Sequence, residues 1–298
     1  MTDFRFKTAA ILGNSQDLRV AAPMRALIGY LHKQGLRALI SSDNPLTGPA
    51  ERLHMAGLVD EADLFIAIGG DGTLLSAASF AWQGDIPLLG INRGRLGFLT
   101  DVRPSEMEAS VSAVLGGDYS VSTRALLKAV LKRESAEAIT GHALNDVVLT
   151  RQQPGRMIDF TTYVDNKFVN EHAGDGLIAA TPTGSTAYAL SCGGPIMQPD
   201  LDAIALVPIC PHTMSDRPIV LPGHVEIRVE VHDSKANPGE VTCDGQVLGP
   251  LTAGDQLTIS AAERKITLLH PPGHDYYELL RSKLNWGRSE RNPRQVDR

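Results

Sequence analysis

Ile66–Leu75 reads IAIGGDGTLL, four apolar-leaning residues that run into Gly69-Gly70-Asp71-Gly72-Thr73 and then two leucines. This is the pattern of a short buried strand that ends in glycines and feeds a helix. The chain on either side repeats it. Thr8–Leu12 (TAAIL) reads as a strand stopped by Gly13-Asn14, and Leu18–Gln34 carries helical apolar spacing up to Gly35. Leu36–Ile40, Leu64–Ile68 and Ile86–Ile91 are further short apolar runs, while Thr73–Trp82 and Pro104–Leu115 read as helices. Strands alternating with helices predict a parallel sheet with both faces covered.

Residues 1–120 are therefore expected to form a Rossmann-like α/β domain carrying GGDGT. From Tyr119 onward the runs become short and alternating: Met157–Val169, Val225–His232, Val241–Leu248 and Gln256–Ile259, separated by Pro/Gly turns. That predicts a β-rich, antiparallel, sandwich-like domain over 121–270. Residues 271–298 are read as a closing helix at Asp275–Leu284 and a basic tail; from Arg281 onward there are six basic and two acidic residues, the pattern of a solvated end.

Composition narrows the class. The 298 residues are 43% hydrophobic and 21% charged, with net charge -6, which argues against a general electrostatic partnership with nucleic acid. Cys192, Cys210 and Cys243 are odd in number and lack a C-x-x-C spacing, suggesting reduced thiols in a cytoplasmic protein. No run reaches membrane-spanning length and the N-terminus has no long apolar leader, so no membrane partner is expected.

A strand that ends in glycines lets a ligand approach backbone N–H groups closely, and the helix start that follows favours phosphate. A carboxylate there repels phosphate unless it holds Mg²⁺ against it or accepts a proton from an attacking hydroxyl. The plainer alternative is that Asp71 merely caps the helix, although a cap needs no flanking glycines. Two other phosphate motifs fail. A Walker A loop requires a Gly-Lys pair, which the chain lacks, and Gly174–Ala179 spells G-x-G-x-x-A but runs into Pro182 where a helix should continue.

Residues 173–195, AGDGLIAATPTGSTAYALSCGGP, alternate hydroxyls, small residues and glycines. They offer donors and side-chain oxygens at close approach, as a nucleotide site needs, and Tyr188 offers a ring to a base. The alternative is a long structural turn, which accounts for Pro182 and Gly193-Gly194 better than for Thr183, Ser185, Thr186 and Ser191 recurring together.

GGDGT at 69–73, GINRGRLGFLT at 90–100, ALNDVVL at 143–149, DGLIAATPTGSTAYALSCGGP at 175–195 and CDGQ at 243–246 together resemble the bacterial NAD kinase family. GGDGT alone is shared with lipid kinases and phosphofructokinases; the TPTGSTAY block beside Asn145-Asp146 is much more specific. The resemblance implies transfer of a phosphoryl group from ATP, or in some members polyphosphate, to the 2′-hydroxyl of the adenosine ribose of NAD. It also implies a divalent cation such as Mg²⁺ and a homodimer or homotetramer.

By the same resemblance Asp71 activates the hydroxyl, directly or through metal, and Gly72 lies against the dinucleotide. Gly69, Gly70, Thr73 and Asn92 fall on the phosphate side. Asn145 and Asp146 match the pair that meets ribose and adenine, and Asp175 the aspartate at the nicotinamide end. Thr183, Thr186, Ala187, Tyr188, Ala189, Leu190 and Ser191 match the adenine and ribose pocket, and Gln246 a glutamine near the ligand. Arg156 is either a phosphate or base contact or a surface charge. Ala173 and Gly174 depart from members with a polar or basic residue before the Asp-Gly pair. His270 and His274 are read as turn residues, because Pro271 and Pro272 forbid the helix that would align them for metal. A lipid kinase would share GGDGT without needing the adenine block, and a non-catalytic dinucleotide sensor would not need Asp71.

Overall fold

The computed structural model describes residues 4–94, 96–133, 136–153, 155–232 and 238–285. The expected basic tail lies beyond these from residue 286. The chain divides into two compact units, residues 1–122 with 268–298, and residues 123–267.

The first unit is built on a seven-stranded sheet in the order Glu51–Leu53, Arg37–Ser41, Thr8–Leu12, Leu64–Gly69, Leu88–Asn92, Ile266–His270, Ser120–Arg124. The first six strands pair in parallel. Leu64–Gly69 is central and wholly buried, which explains why it alternates no polar residue. Helix Leu18–Lys33 starts at Asp17, whose carboxylate accepts from the Arg19 N–H, and buries Val20, Met24, Leu27, Ile28 and Leu31 on one stripe.

The strand order reverses between Thr8–Leu12 and Leu64–Gly69, so the crevice outside their carboxyl ends is where such a sheet receives ligands. GGDGT lies at one of those ends and Gly13-Asn14 at the other.

Two expectations change here. The helix after the glycines spans Asp71–Gly84, two residues earlier than the spacing predicts, because Gly70 takes the extended N-cap conformation. Asp71 thus sits in the first turn and is not its cap. His270 is the last residue of a strand and not a turn residue; only His274 lies in the turn region. The remaining alternation held, with Pro104–Leu115 resolving into a 3₁₀ turn and the helix Met107–Leu115, and the closing helix running over Tyr276–Leu284 from an Asp275 cap.

The second unit is a pair of six-stranded antiparallel sheets. One runs Lys167–Gly174, Ile158–Val164, Ile227–His232, Gln256–Ala261, Leu127–Arg133, Ala136–Ala143. The other runs Ile219–Pro222, Ala203–Ile209, Gly176–Ala180, Asp146–Arg151, Gly239–Cys243, Gln246–Leu251. Met157–Val169 and Val241–Leu248 each prove to be a hairpin. Asp165-Asn166 and Asp244-Gly245 all have positive φ, the two-residue turn that matches strand twist.

Alternate residues of both sheets fill one core: Leu127, Ala129 and Leu131 from the first meet Val147, Leu149 and Leu177 from the second. On the other face of the second sheet, Val148, Ile178, Ala205 and Val207 pack with Ala189 and Met197. The glycine-rich block therefore covers a sheet face, which is why Gly176–Ala180 is buried throughout.

Phe160 is fully buried in this sandwich and stacks on His172 with ring centroids 5.0 Å apart. Phe160→Ala should lower the stability of the second unit by about 3–5 kcal/mol, read from chemical denaturation.

Candidate functional site

In the first unit the carboxylate of Asp71 is held by the turn that follows the neighbouring strand Leu88–Asn92. Oδ2 accepts the Phe98 N–H at 2.8 Å, while Oδ1 accepts the Leu99 N–H at 3.0 Å and the N–H and hydroxyl of Thr100 at 3.2 Å each. A carboxylate has about four lone-pair sites, so Oδ1 is saturated and Oδ2 keeps a free one. The approach is close: a Cβ on Gly97 would stand 2.0 Å from Asp71 Oδ1. The Gly97 N–H bonds the Thr100 carbonyl and closes the turn that supplies the donors.

Gly69 and Thr73 are equally tight, since a Cβ on Gly69 would lie 2.1 Å from Thr73 Oγ1. Asn92 is fully buried at the end of its strand; its Oδ1 accepts the Gly94 N–H while its Nδ2 has no partner. Gly72 and Thr73, with Gly13, Asn14, Ser41 and Phe80, line a cleft of about 380 Å³ at the crevice of the sheet. That volume lies in the range of small-molecule sites.

In the second unit Asp244 does the organising. Its carboxylate accepts the N–H groups of Leu144 at 2.7 Å, Asn145 at 2.8 Å and Asp146 at 3.1 Å. From the other side Thr181 donates its N–H to the Asn145 carbonyl, and a Cβ on Gly184 would stand 2.1 Å from that same oxygen. Asn145-Asp146 is thereby fixed between the hairpin turn and the TPTG turn, with Thr183 beside it in the latter. The Thr183 hydroxyl is buried without a partner.

Asp146 is pushed up to about 7 by burial and by the charge of Asp244, and Asp244 is raised by its own burial against the pull of its three N–H donors. Asp175 is paired with Arg151, Nε to Oδ1 at 2.6 Å.

The other residues expected at the site divide by exposure. Tyr188 and Ser191 are exposed, Thr186, Ala187 and Leu190 half-buried, and Ala189 packs its methyl into the apolar cluster under the sheet. Gln246 is exposed at the start of its strand, as is Arg156 in its loop. Asp244, Arg151 and Thr100 escaped the sequence reading. Asp244-Gly245 is a recognisable hairpin dipeptide. No comparable local signal marks Arg151 or Thr100, whose partners lie 24 and 29 residues away.

Proton linkage makes Asp146 testable. Between the ordinary carboxylate value of 3.8 and about 7 the folded chain keeps a proton that the unfolded chain has lost. Its contribution to stability therefore falls as pH rises through that window. Asp146→Asn should flatten this part of the pH–stability curve and raise stability at pH 7, measured by denaturant unfolding at stepped pH.

Family models match twice. Residues 50–119 match the ATP-NAD kinase N-terminal domain and residues 144–270 the ATP-NAD kinase C-terminal domain. The chain is 46% identical over 286 residues to a NAD kinase of Pseudomonas putida (strain W619), covering 95% of this chain and 97% of that one. It is 42% identical over 288 residues to a NAD kinase of Hahella chejuensis, covering 96% and 97%. Yeast NADH kinase complexed with NADH superposes with a TM-score of 0.88 at 25% identity, over 95% of this chain and 88% of that chain. A NAD kinase from Archaeoglobus fulgidus in complex with ATP shares the fold, with a TM-score of 0.72 at 24% identity over 94% and 98%.

Proposed function

This chain belongs to the NAD kinase family, and on that premise we propose that it transfers a phosphoryl group from ATP to the 2′-hydroxyl of the adenosine ribose of NAD, giving NADP. The observation that carries the reading is Asp71: a carboxylate in a helix first turn, immobilised by four donors, with one lone pair of Oδ2 left over. That lone pair takes the hydroxyl proton as the oxygen attacks phosphorus. A carboxylate already aimed loses no time or entropy finding its substrate, and a positioned base is worth about 10²–10⁴-fold.

The crevice lined by Gly13, Asn14, Gly72 and Thr73 receives the donor nucleotide, with glycine backbone and the start of helix Asp71–Gly84 on its phosphates. Asn92, buried with its Nδ2 unpaired at the end of its strand, is assigned to the same phosphate side by family resemblance. Polyphosphate, having no base to seat, would use only the phosphate part of this cleft. Mg²⁺ fits the donor set in a limited way: phosphate oxygens would hold it, with Asp71 Oδ2 as a ligand only in place of its role as base, and it would neutralise charge on the transferred group.

In the second unit Asp146, once ionised, accepts from ribose hydroxyls, and Asn145 reads adenine with an amide that both donates and accepts. Thr183, Thr186, Tyr188 and Ser191 complete the wall around base and sugar, and Asp175 turns to the nicotinamide end. Ala187, Ala189 and Leu190 set the spacing of that wall, with Gln246 and Arg156 at its margin. The three free cysteines suit a reducing cytoplasm, and the family's dimers or tetramers are the expected assembly.

Purified protein incubated with NAD, Mg²⁺ and ATP should yield NADP, detected with a NADP-specific dehydrogenase. Asp71→Asn should lower the rate by about 10²–10⁴-fold while NAD still binds. NAD binding without turnover by the unaltered protein would instead mark a dinucleotide sensor. A parallel reaction with polyphosphate settles the donor.

A further inference from the structure

The turn that supplies the donors to Asp71 runs directly into Asp101, and Asp101 is gripped by two histidines. Its Oδ2 lies 2.7 Å from His270 Nδ1 and 2.6 Å from His274 Nδ1. The two imidazoles stack with centroids 3.8 Å apart and planes 16° from parallel. His270 is 3% exposed and the Asp101 side chain 10%.

An aspartate and two histidines with ligand atoms within 4.8 Å of one another invite a metal reading. The geometry opposes it. Two ligands on a tetrahedral ion at about 2.0–2.1 Å stand roughly 3.3 Å apart, whereas these N···O separations are ordinary hydrogen bonds. Both Nδ1 atoms therefore donate to one carboxylate oxygen.

What the grip holds is the turn. His270 closes the strand Ile266–His270, whose Leu268 pairs with Leu88 in the sheet. His274 follows the Pro271-Pro272-Gly273 reversal and stands just before the helix Tyr276–Leu284. From that same helix the Lys283 ammonium lies 5.6 Å from the centroid of the Phe98 ring. On its other side Val102 bonds strand Leu88–Asn92, accepting from the Asn92 N–H and donating to the Gly90 carbonyl. Residues 97–100 are thus pinned at their exit by Asp101 and Val102, with the N–H groups of Phe98, Leu99 and Thr100 directed at Asp71.

We infer that Asp101, held by His270 and His274, is a positioning residue for Asp71: it fixes the 97–100 turn whose three N–H groups and Thr100 hydroxyl aim the reacting carboxylate. The inference rests on the reading of Asp71 as the base. Its reach is specific. Cutting the grip loosens the four donors together and lets the Asp71 carboxylate wander, but it leaves the dinucleotide contacts of the second unit in place.

The test is a double-mutant cycle on NADP formation by the full chain, using Asp101→Ala, Asp101→Asn and Asp71→Asn singly and Asp101→Ala with Asp71→Asn. Asp101→Ala should lower kcat by about 10²-fold, the scale of a 1 Å misplacement, with KM for NAD within about twofold. Asp101→Asn, whose amide oxygen still accepts from a histidine, should recover most of that loss. On the Asp71→Asn background Asp101→Ala should add nothing further to the residual rate. Equal losses on both backgrounds, or a KM effect without a kcat effect, would overturn the inference. If Asp101→Ala does not fold, His274→Ala replaces it in the same cycle, since that side chain is 17% exposed. One equivalent of Zn²⁺ in the purified protein, absent from His274→Ala, would also overturn it in favour of a metal centre. A wild type without turnover, or an Asp71→Asn variant with undiminished turnover, would instead fail the kinase reading or the base assignment.

Discussion

A carboxylate in the first turn of a helix ordinarily satisfies itself with water. That of Asp71 takes its hydrogen bonds from a turn 27 to 29 residues further on, and much of the first unit follows from that requirement. Gly97 must lack a Cβ, Thr100 must carry a hydroxyl, and the chain after Leu88–Asn92 must fold back across its own strand end. The four bonds also remove freedom from this carboxylate in advance of any partner. Asp244 plays the same part in the second unit, drawing in three consecutive N–H groups to fix Asn145 and Asp146. In both places an aspartate acts as an assembly point for backbone donors, at the cost of burying charge. For Asp244 and Asp146 that cost appears as raised proton affinity. Asp101 escapes it: burial alone would raise it, but the hydrogen bonds and charge of His270 and His274 hold it at about 2.

Much of this architecture was legible because period and punctuation agree. Leu64–Gly69 has no polar residue because both faces are covered, and its glycines announce the ligand-binding end. The hairpin at Asp244-Gly245 and the alternation of Leu127–Arg133 are local signals of the same quality. Helix starts were less legible, since Gly70 as N-cap looks no different from a glycine in a loop until its extended backbone is seen. Short strands such as Glu51–Leu53 carry too few residues to show a period at all.

The candidate site was legible where residue type and local context coincide, as at Asp71 among its glycines and at Asn145-Asp146 before a strand. Partnerships across the chain were not. Nothing near Thr100 points to Asp71, and nothing near Arg151 points to Asp175, because these pairs are joined by topology. The histidines show the limit most clearly. Pro271 and Pro272 do prevent a helix, yet the reversal they impose stacks His270 on His274, an alignment that no helical spacing describes.

The strand Ile266–His270 lies in the first sheet although the whole second unit separates it in sequence from Ser120–Arg124, its neighbour there. The first unit is therefore discontinuous in sequence, and the Asp101–His270 contact joins residues 169 positions apart. Closing so long a loop carries an entropic cost that the turn bonded to Asp71, at most 29 residues away, does not share. Topology thus places the local part of this carboxylate network ahead of its long-range part in the order of folding.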